Sequence, residues 1–324
     1  MRPRWRVLRA PWLPMALACT ILLLVLAALL LVGLGVPRHY YSEIVLIGQT
    51  PSGNWVTPPF SPMTEADLYS RNGLPIGRHL FILGSDGGGR DLLALIAHGA
   101  LPSLELVVAG LLGRFLVGLL AGTLMAMGAA PVRTLSRGMG RWFAGLPYLA
   151  FAIVLVQVLA PYSRFWAFAI AMAVVGWRDV AEITAEQVEQ VLAQPYTEAA
   201  HALGSQGWTY FRRHVVPNLT PALAVERPFQ ASAILVLLAE LGYLNVYLGS
   251  RLTGISFSSN VVTYLLPQTP ELGALLADAR AYILMQFWVP VLVPALAIAL
   301  LALAFELLGW SVRIRSRSTQ ARVI

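Results

Sequence analysis

The sequence predicts an all-α membrane protein with six transmembrane helices and both termini on the cytoplasmic side. Three observations predict it. Only 12% of residues are charged and 57% are hydrophobic, about half the charge of a soluble domain, and mean hydropathy is +0.68. Uncharged apolar runs recur along the chain, most of them near the length that crosses a ~30 Å hydrocarbon core. The Arg residues cluster in short stretches that fall on one side when the runs are threaded back and forth.

The first run, 10–37, holds 28 uncharged residues between Arg9 and Arg38. A signal peptide has an apolar region of only about 7–15 residues and a small-residue cleavage site. The run is longer and no A-x-A site follows, so it reads as a retained span. Five more spans are expected near 103–127, 143–160, 165–177, 222–244 and 284–308. The fourth is short, because Arg164 and Arg178 bound 13 uncharged residues. It spans only with snorkelling flanks or local thinning of the bilayer; the alternative is a re-entrant hairpin formed by the third and fourth runs.

Arg2, Arg4, Arg6 and Arg9 then lie on the same side as Arg133, Arg137 and Arg141, as Arg212 and Arg213, and as Arg313, Arg315, Arg317 and Arg322. That side is the cytoplasm by the positive-inside rule. The expected division is a tail and first span at 1–37, an outer loop at 38–100, a five-span core at 101–312 with a cytoplasmic loop at 178–221, and a tail at 313–324. The outer loop is Pro/Gly-rich with turn signals such as Pro51-Ser52-Gly53-Asn54.

Composition excludes several functions. The formal charge of +7 reflects topology, since no basic face with interleaved aromatics marks a nucleic-acid surface. The single cysteine, Cys19, cannot form an intrachain disulfide, and no Cys/His spacing suits a metal. All 23 basic residues are Arg. Without Lys the chain has no P-loop and no Schiff-base chemistry. Neither HExxH nor GxSxG occurs, so no catalytic set is expected.

Thr197 to Asn218, TEAAHALGSQGWTYFRRHVVPN, is polar between apolar runs. A helix is expected over 180–194, interrupted at Pro195. Thr197 can cap a new short helix, with Glu198 in its first turn, where the helix dipole favours an acid. Ala199 and Ala200 keep that helix thin enough to enter a groove. Gly204 suits a left-handed C-terminal position. Ser205 can cap a second helix that ends at Pro217.

Two other groups stand out. In GSDGGGRD, Gly84 and Gly89 supply freedom for a tight turn, while Asp86, Arg90 and Asp91 either pair locally, the favoured reading, or face a receptor. Arg114 lies midway along the second span, where a charge needs a partner or water. Glu240 and Glu105 are the acids nearest in depth. Arg114 and Glu240 are candidates for lining a path; the alternative is a structural contact between helices.

Glu198-Ala199-Ala200, then Gly204, then Arg213-His214-Val215-Val216-Pro217 resembles the EAA signature of ABC-transporter permeases. LGSDGGGRDLL, 83–93, resembles the segment ahead of the second span in the dipeptide/oligopeptide/nickel branch, and in its C-type subunit in particular. Gly176-Trp177, 270–283 and 302–313 extend the likeness over most of the chain. The sequence departs from the branch at Glu182 and Ala185, where Arg is usual, at Leu272, where Trp is usual, and in an extra outer stretch at 250–268.

The resemblance implies an importer permease bundle whose coupling helix docks on an ATPase. Glu198, Ala199, Ala200, Gly204, Arg212, Arg213, His214 and Pro217 would form the coupling segment. It also implies a B-type permease completing a heterodimer, two ATPase subunits that use ATP and Mg, an extracytoplasmic solute-binding protein, and a multi-pass place among the lipids of a bacterial or archaeal inner membrane. No cofactor would be bound by this chain. The alternatives are an ion-coupled secondary transporter using Arg114 and Glu240, and a membrane anchor subunit that transports nothing.

Overall fold

The computed structural model describes residues 14–23, 27, 44–70, 73–195, 197, 211–248, 251–256, 262–267, 271–277 and 279–323. The chain is mostly helical. α1 (Pro14–Leu23) is a short apolar helix inside the expected first span. α2 is Leu92–Met127, α3 Ala130–Ala144, α4 Tyr148–Leu159, α5 Arg164–Leu192, α6 Val216–Tyr243, α7 Ala279–Leu284 and α8 Val289–Val323. A π-helical turn, Phe211–Val215, leads directly into α6.

Among the described residues, three helices are long and apolar enough to cross a membrane: Leu92–Met127, Phe211–Tyr243 and Val289–Ser316. The pair α3 and α4, bent by 98°, makes a fourth if it is one broken span. The expected six is therefore met by three or four here, and most of the first run lies outside the described residues. α5 fails as an apolar span because its second half is charged. Its 29 residues nevertheless run unbroken past Arg178, where the sequence reading stops the span. Charge ends a membrane span, but it does not end a helix whose polar residues fall at helical spacing.

The all-α expectation needs correction on the outer stretch. β1 (Val45–Gln49), β2 (Trp55–Val56), β3 (Thr64–Ser70) and β4 (Pro75–Phe81) form an antiparallel sheet in the order β2-β1-β3-β4. Alternation places Val45, Ala66, Leu68 and Phe81 on a buried face with Phe60, while Trp55, Arg78 and Leu80 face outward. The extra stretch at 250–268 contains a hairpin of β5 (Arg251–Ser256) and β6 (Val262–Pro267).

The contacts divide the chain into two compact units. One comprises Met1–Cys19, Val107–Ile234 and Leu303–Ile324; the other, Thr20–Leu106 and Leu235–Ala302. In the first, α2 presents Gly110, Gly113, Gly118 and Gly122 to α5. A Cβ on Gly113 would lie 2.4 Å from that of Ala173, and one on Gly122 2.4 Å from the Ala181 carbonyl oxygen. Small residues let helix backbones approach this closely where burial in lipid gives no hydrophobic drive. Below them, Ala126, Val188, Val191, Val215, Leu219 and Leu223 form an apolar cluster.

In the second unit, Gly242 of α6 meets the backbone of Gly273. A Cβ at Gly242 would sit 1.9 Å from the Gly273 carbonyl oxygen. This crossing holds 271–277 in place, assisted by Ser103, whose Oγ accepts from the Leu272 N–H at 2.9 Å and donates to the Gly99 carbonyl at 2.9 Å.

Candidate functional site

The segment expected to couple is described only at its two ends. Glu198, Ala199, Ala200 and Gly204 lie outside the described residues. Thr197 is buried, and its hydroxyl donates to the carbonyls of Leu192 (2.9 Å) and Gln194 (2.6 Å). It closes the C-terminus of α5, whose last carbonyls lack partners within the helix; the sequence reading used it as an N-cap. At the far end Val215 is fully buried against Val188 and Val191 of α5. The described residues on either side of 198–210, Thr197 and Val215, are thus both held on the last turns of α5. Arg212, Arg213 and Pro217 are exposed and His214 is half-buried. Pro217 does not end a helix. It sits in the first turn of α6, directly after the π-helical turn, where the hydrogen-bond register changes.

The acidic run of α5 is engaged within the chain. Arg178 Nη2 donates to Glu182 at 2.6 Å, Gln190 Nε2 to Glu186 at 3.3 Å, and Arg137 of α3 to Glu189. Arg137 Nε also donates to the Met125 carbonyl at 3.1 Å. A cleft of about 500 Å³ between α3 and α5 is lined by Arg137, Arg141, Glu182, Glu186 and Glu189.

The GSDGGGRD segment folds on itself. Asp86 Oδ1 accepts from the Gly88 and Arg90 N–H groups, each at 2.9 Å. Its Oδ2 takes Arg90 Nε at 2.8 Å and Nη2 at 2.6 Å. Arg90 is 1% exposed. Asp91 caps α2 by accepting from Leu93 at 2.7 Å and Ala94 at 3.2 Å, and its other oxygen pairs with His79 of β4 at 2.5 Å. Gly84 and Gly89 have φ of +83° and +71°. At Gly89 a Cβ would also lie 2.7 Å from that of Val45. The segment fastens the sheet to the start of α2.

Arg114 is buried. Its Nε donates to the Met172 carbonyl and its Nη1 to Gln230 Oε1, both at 2.7 Å. Gln230 Nε2 in turn donates to Glu226 at 2.9 Å. The cation joins α2, α5 and α6, as an intramembrane charge requires. Glu240 is half-buried on α6. Sequence reasoning missed Gln230, and it missed why Gly176 is needed. A Cβ at Gly176 would lie 2.1 Å from Arg114 Nε. Gly176→Ala should therefore displace the guanidinium and forfeit at least one charged hydrogen bond, worth about 1.5–3 kcal/mol. Thermal unfolding in detergent should show a lower Tm, with partial recovery when Arg114→Met is added. An unchanged Tm would contradict this packing.

Glu271 is a buried acid that sequence reasoning passed over. It is 1% exposed. Its Oε1 accepts from the Leu248 N–H at 3.0 Å, and Oε2 is buried without a hydrogen-bond partner among the described residues. Burial pushes its pKa up from 4.5 to about 7, against a smaller opposing effect of the Leu248 bond. The folded state then holds this proton more tightly than the unfolded one. Its contribution to stability is complete below pH ~4.5 and is lost as pH rises through about 7. Glu271→Gln should flatten the fall in Tm between those values; parallel wild-type and variant curves would refute the assignment.

A family model described as binding-protein-dependent transport system inner membrane component matches residues 115–310. The chain is 32% identical over 265 residues to the di/tripeptide transport system permease protein DppC of Pseudomonas aeruginosa (strain UCBPP-PA14), covering 80% of each chain. It is 25% identical over 256 residues to the dipeptide transport system permease protein DppC of Bacillus subtilis (strain 168), covering 78% of this chain and 73% of that one. It is 28% identical over 252 residues to the probable D,D-dipeptide transport system permease protein DdpC of Escherichia coli (strain K12), covering 76% of each. With its apolar helices and a family match over more than half its length, the chain is a multi-pass membrane protein that belongs to the family of inner membrane components of binding-protein-dependent transport systems.

Proposed function

We propose that the chain is the C-type permease subunit of an ATP-driven importer of di- and oligopeptides. The observation that carries this reading is similarity over four-fifths of the chain to a di/tripeptide permease. The absence of Lys supports a transport subunit without its own P-loop, driven by other chains. Two ATPase subunits would hold ATP and Mg, a B-type permease would complete the path, and an extracytoplasmic binding protein would deliver solute. The chain would lie in the cell's inner membrane, with six spans and both termini cytoplasmic.

Coupling is assigned to Glu198, Ala199, Ala200 and Gly204, with Arg212, Arg213, His214 and Pro217 on the return. The anchoring of Thr197 and Val215 on α5, beside the start of α6, supports this role, because a displacement of the segment would be passed to those helices. Gly84, Asp86, Gly89, Arg90 and Asp91 are assigned to holding the outer sheet. Arg114 is assigned to joining helices beside the path.

The test is co-expression with a B-type permease, its ATPases and a binding protein, followed by reconstitution into vesicles. ATP-dependent uptake of labelled dipeptide and a stable complex with an ATPase are expected. Uptake driven by an ion gradient without ATPase, or no complex at all, would overturn the reading.

A further inference from the structure

α3 is built unlike the other helices. Its axis is bent by 98° from that of α4, across a break of a few residues. α4, YLAFAIVLVQVL, carries no charge. A helix perpendicular to one that enters a bilayer runs along the bilayer surface. The sequence of α3 suits that position. Val132, Leu135, Met139 and Trp142 recur at helical spacing and are all exposed, Leu135 and Trp142 by about two-thirds (66% and 65%). Arg133, Arg137 and Arg141 recur every four residues on the opposite side and are also exposed.

The remaining side of α3 is fixed to the protein. Gly140 is buried there, Phe143 packs edge-on against Trp177 at 5.4 Å, and Arg137 reaches Glu189 and the Met125 carbonyl. Among the described residues, Arg133 and Arg141 have no acidic partner within ion-pair distance, although Arg141 borders the cleft that Glu182, Glu186 and Glu189 line.

We propose that α3 lies flat on the membrane surface, with its Val132–Leu135–Met139–Trp142 stripe in the acyl boundary and Arg133 and Arg141 engaging anionic phospholipid headgroups. An apolar stripe opposite an Arg-rich face is the composition of helices that rest in the bilayer interface, where apolar burial and attraction to anionic lipid add together. Trp142 stands near the bend, where α3 gives way to α4, at the level that amphipathic rings favour. Lipid is the occupant chosen over a protein partner because the exposed stripe is followed within a few residues by an uncharged apolar helix. The proposal rests on the chain being a membrane protein, and its failure would leave the solute reading untouched.

The test uses the full chain with its co-purifying subunits, reconstituted into phosphatidylcholine vesicles with and without phosphatidylglycerol. In a Cys19→Ser background, Met139→Cys or Thr134→Cys carries a spin label. Relaxation by oxygen, which concentrates in lipid, is compared with relaxation by a water-soluble nickel chelate. The oxygen-to-nickel ratio at position 139 should exceed that at 134 several-fold. It should rise further with phosphatidylglycerol, and that rise should vanish in the Arg133→Gln/Arg141→Gln variant. A label at 139 shielded from both agents would mean a protein cover, and one open to nickel would mean water; either overturns the proposal. A ratio indifferent to phosphatidylglycerol with both Arg present overturns the headgroup contact.

Discussion

Asp86→Ala is expected to destabilise the unit that holds the four-stranded sheet by about 3–5 kcal/mol, the usual result of removing one partner from a buried ion pair. The carboxylate accepts from two backbone N–H groups and twice from Arg90. Its loss leaves a guanidinium that is 1% exposed without its counter-charge, and it orphans the donors that shape the Gly87–Gly89 turn. The sheet loses its fastening as well, since Val45 donates to the Gly88 carbonyl at 2.8 Å. Thermal unfolding of the purified protein should show the loss directly. The diagnostic comparison is Asp86→Ala/Arg90→Met, which removes both charges and should be the more stable of the two variants. If Asp86→Ala melts with the wild type, the segment is not the fastening described.

Gly204→Pro should leave insertion and assembly intact and abolish transport-coupled ATPase activity. Gly204 is expected at a left-handed helix-terminal position, where φ is positive. Proline fixes φ near −65° and removes an N–H. The segment would keep its anchors at Thr197 and Val215 but lose the bend expected at Gly204, and with it the proposed docking on an ATPase. ATPase activity stimulated by the loaded binding protein is the readout. Normal stimulation in a correctly assembled variant would sink the role assigned to this segment.

What the sequence made legible was set by long-range apolar pattern and by polar residues with local partners. The span near 103–127 falls within α2, and those near 222–244 and 284–308 largely coincide with α6 and α8, the last beginning five residues ahead of its helix, because apolar length alone specifies them. Their starts were hidden. α2 begins at Leu92 and passes through Pro102, since a proline in a long apolar helix is tolerated where neighbours re-satisfy the backbone.

The outer sheet was hidden because its strands are short and its turn residues dominate the composition, so the alternation of Ala66 and Leu68 carried little weight. The links from Arg114 to Gln230 and from Glu271 to Leu248 join residues 116 and 23 positions apart, which no local spacing reveals. The acidic run on α5 looked foreign to the family. Its partners on α3 and within α5 give it a local account, and a pairing 52 residues apart is equally invisible to motif reading.

The unbroken course of α5 has a mechanical meaning. A helix of 29 residues is a rod about 43 Å long at 1.5 Å per residue. One end lies at the short turn after α4, and the other holds the residues on which Thr197 and Val215 are anchored. Used as a lever arm, such a rod carries its tip roughly 4 Å for a tilt of about 5° about the far end, given that rise per residue. The glycine-lined seam with α2, closest at Gly113 and Gly122, leaves little room for such a tilt toward α2 before backbones collide.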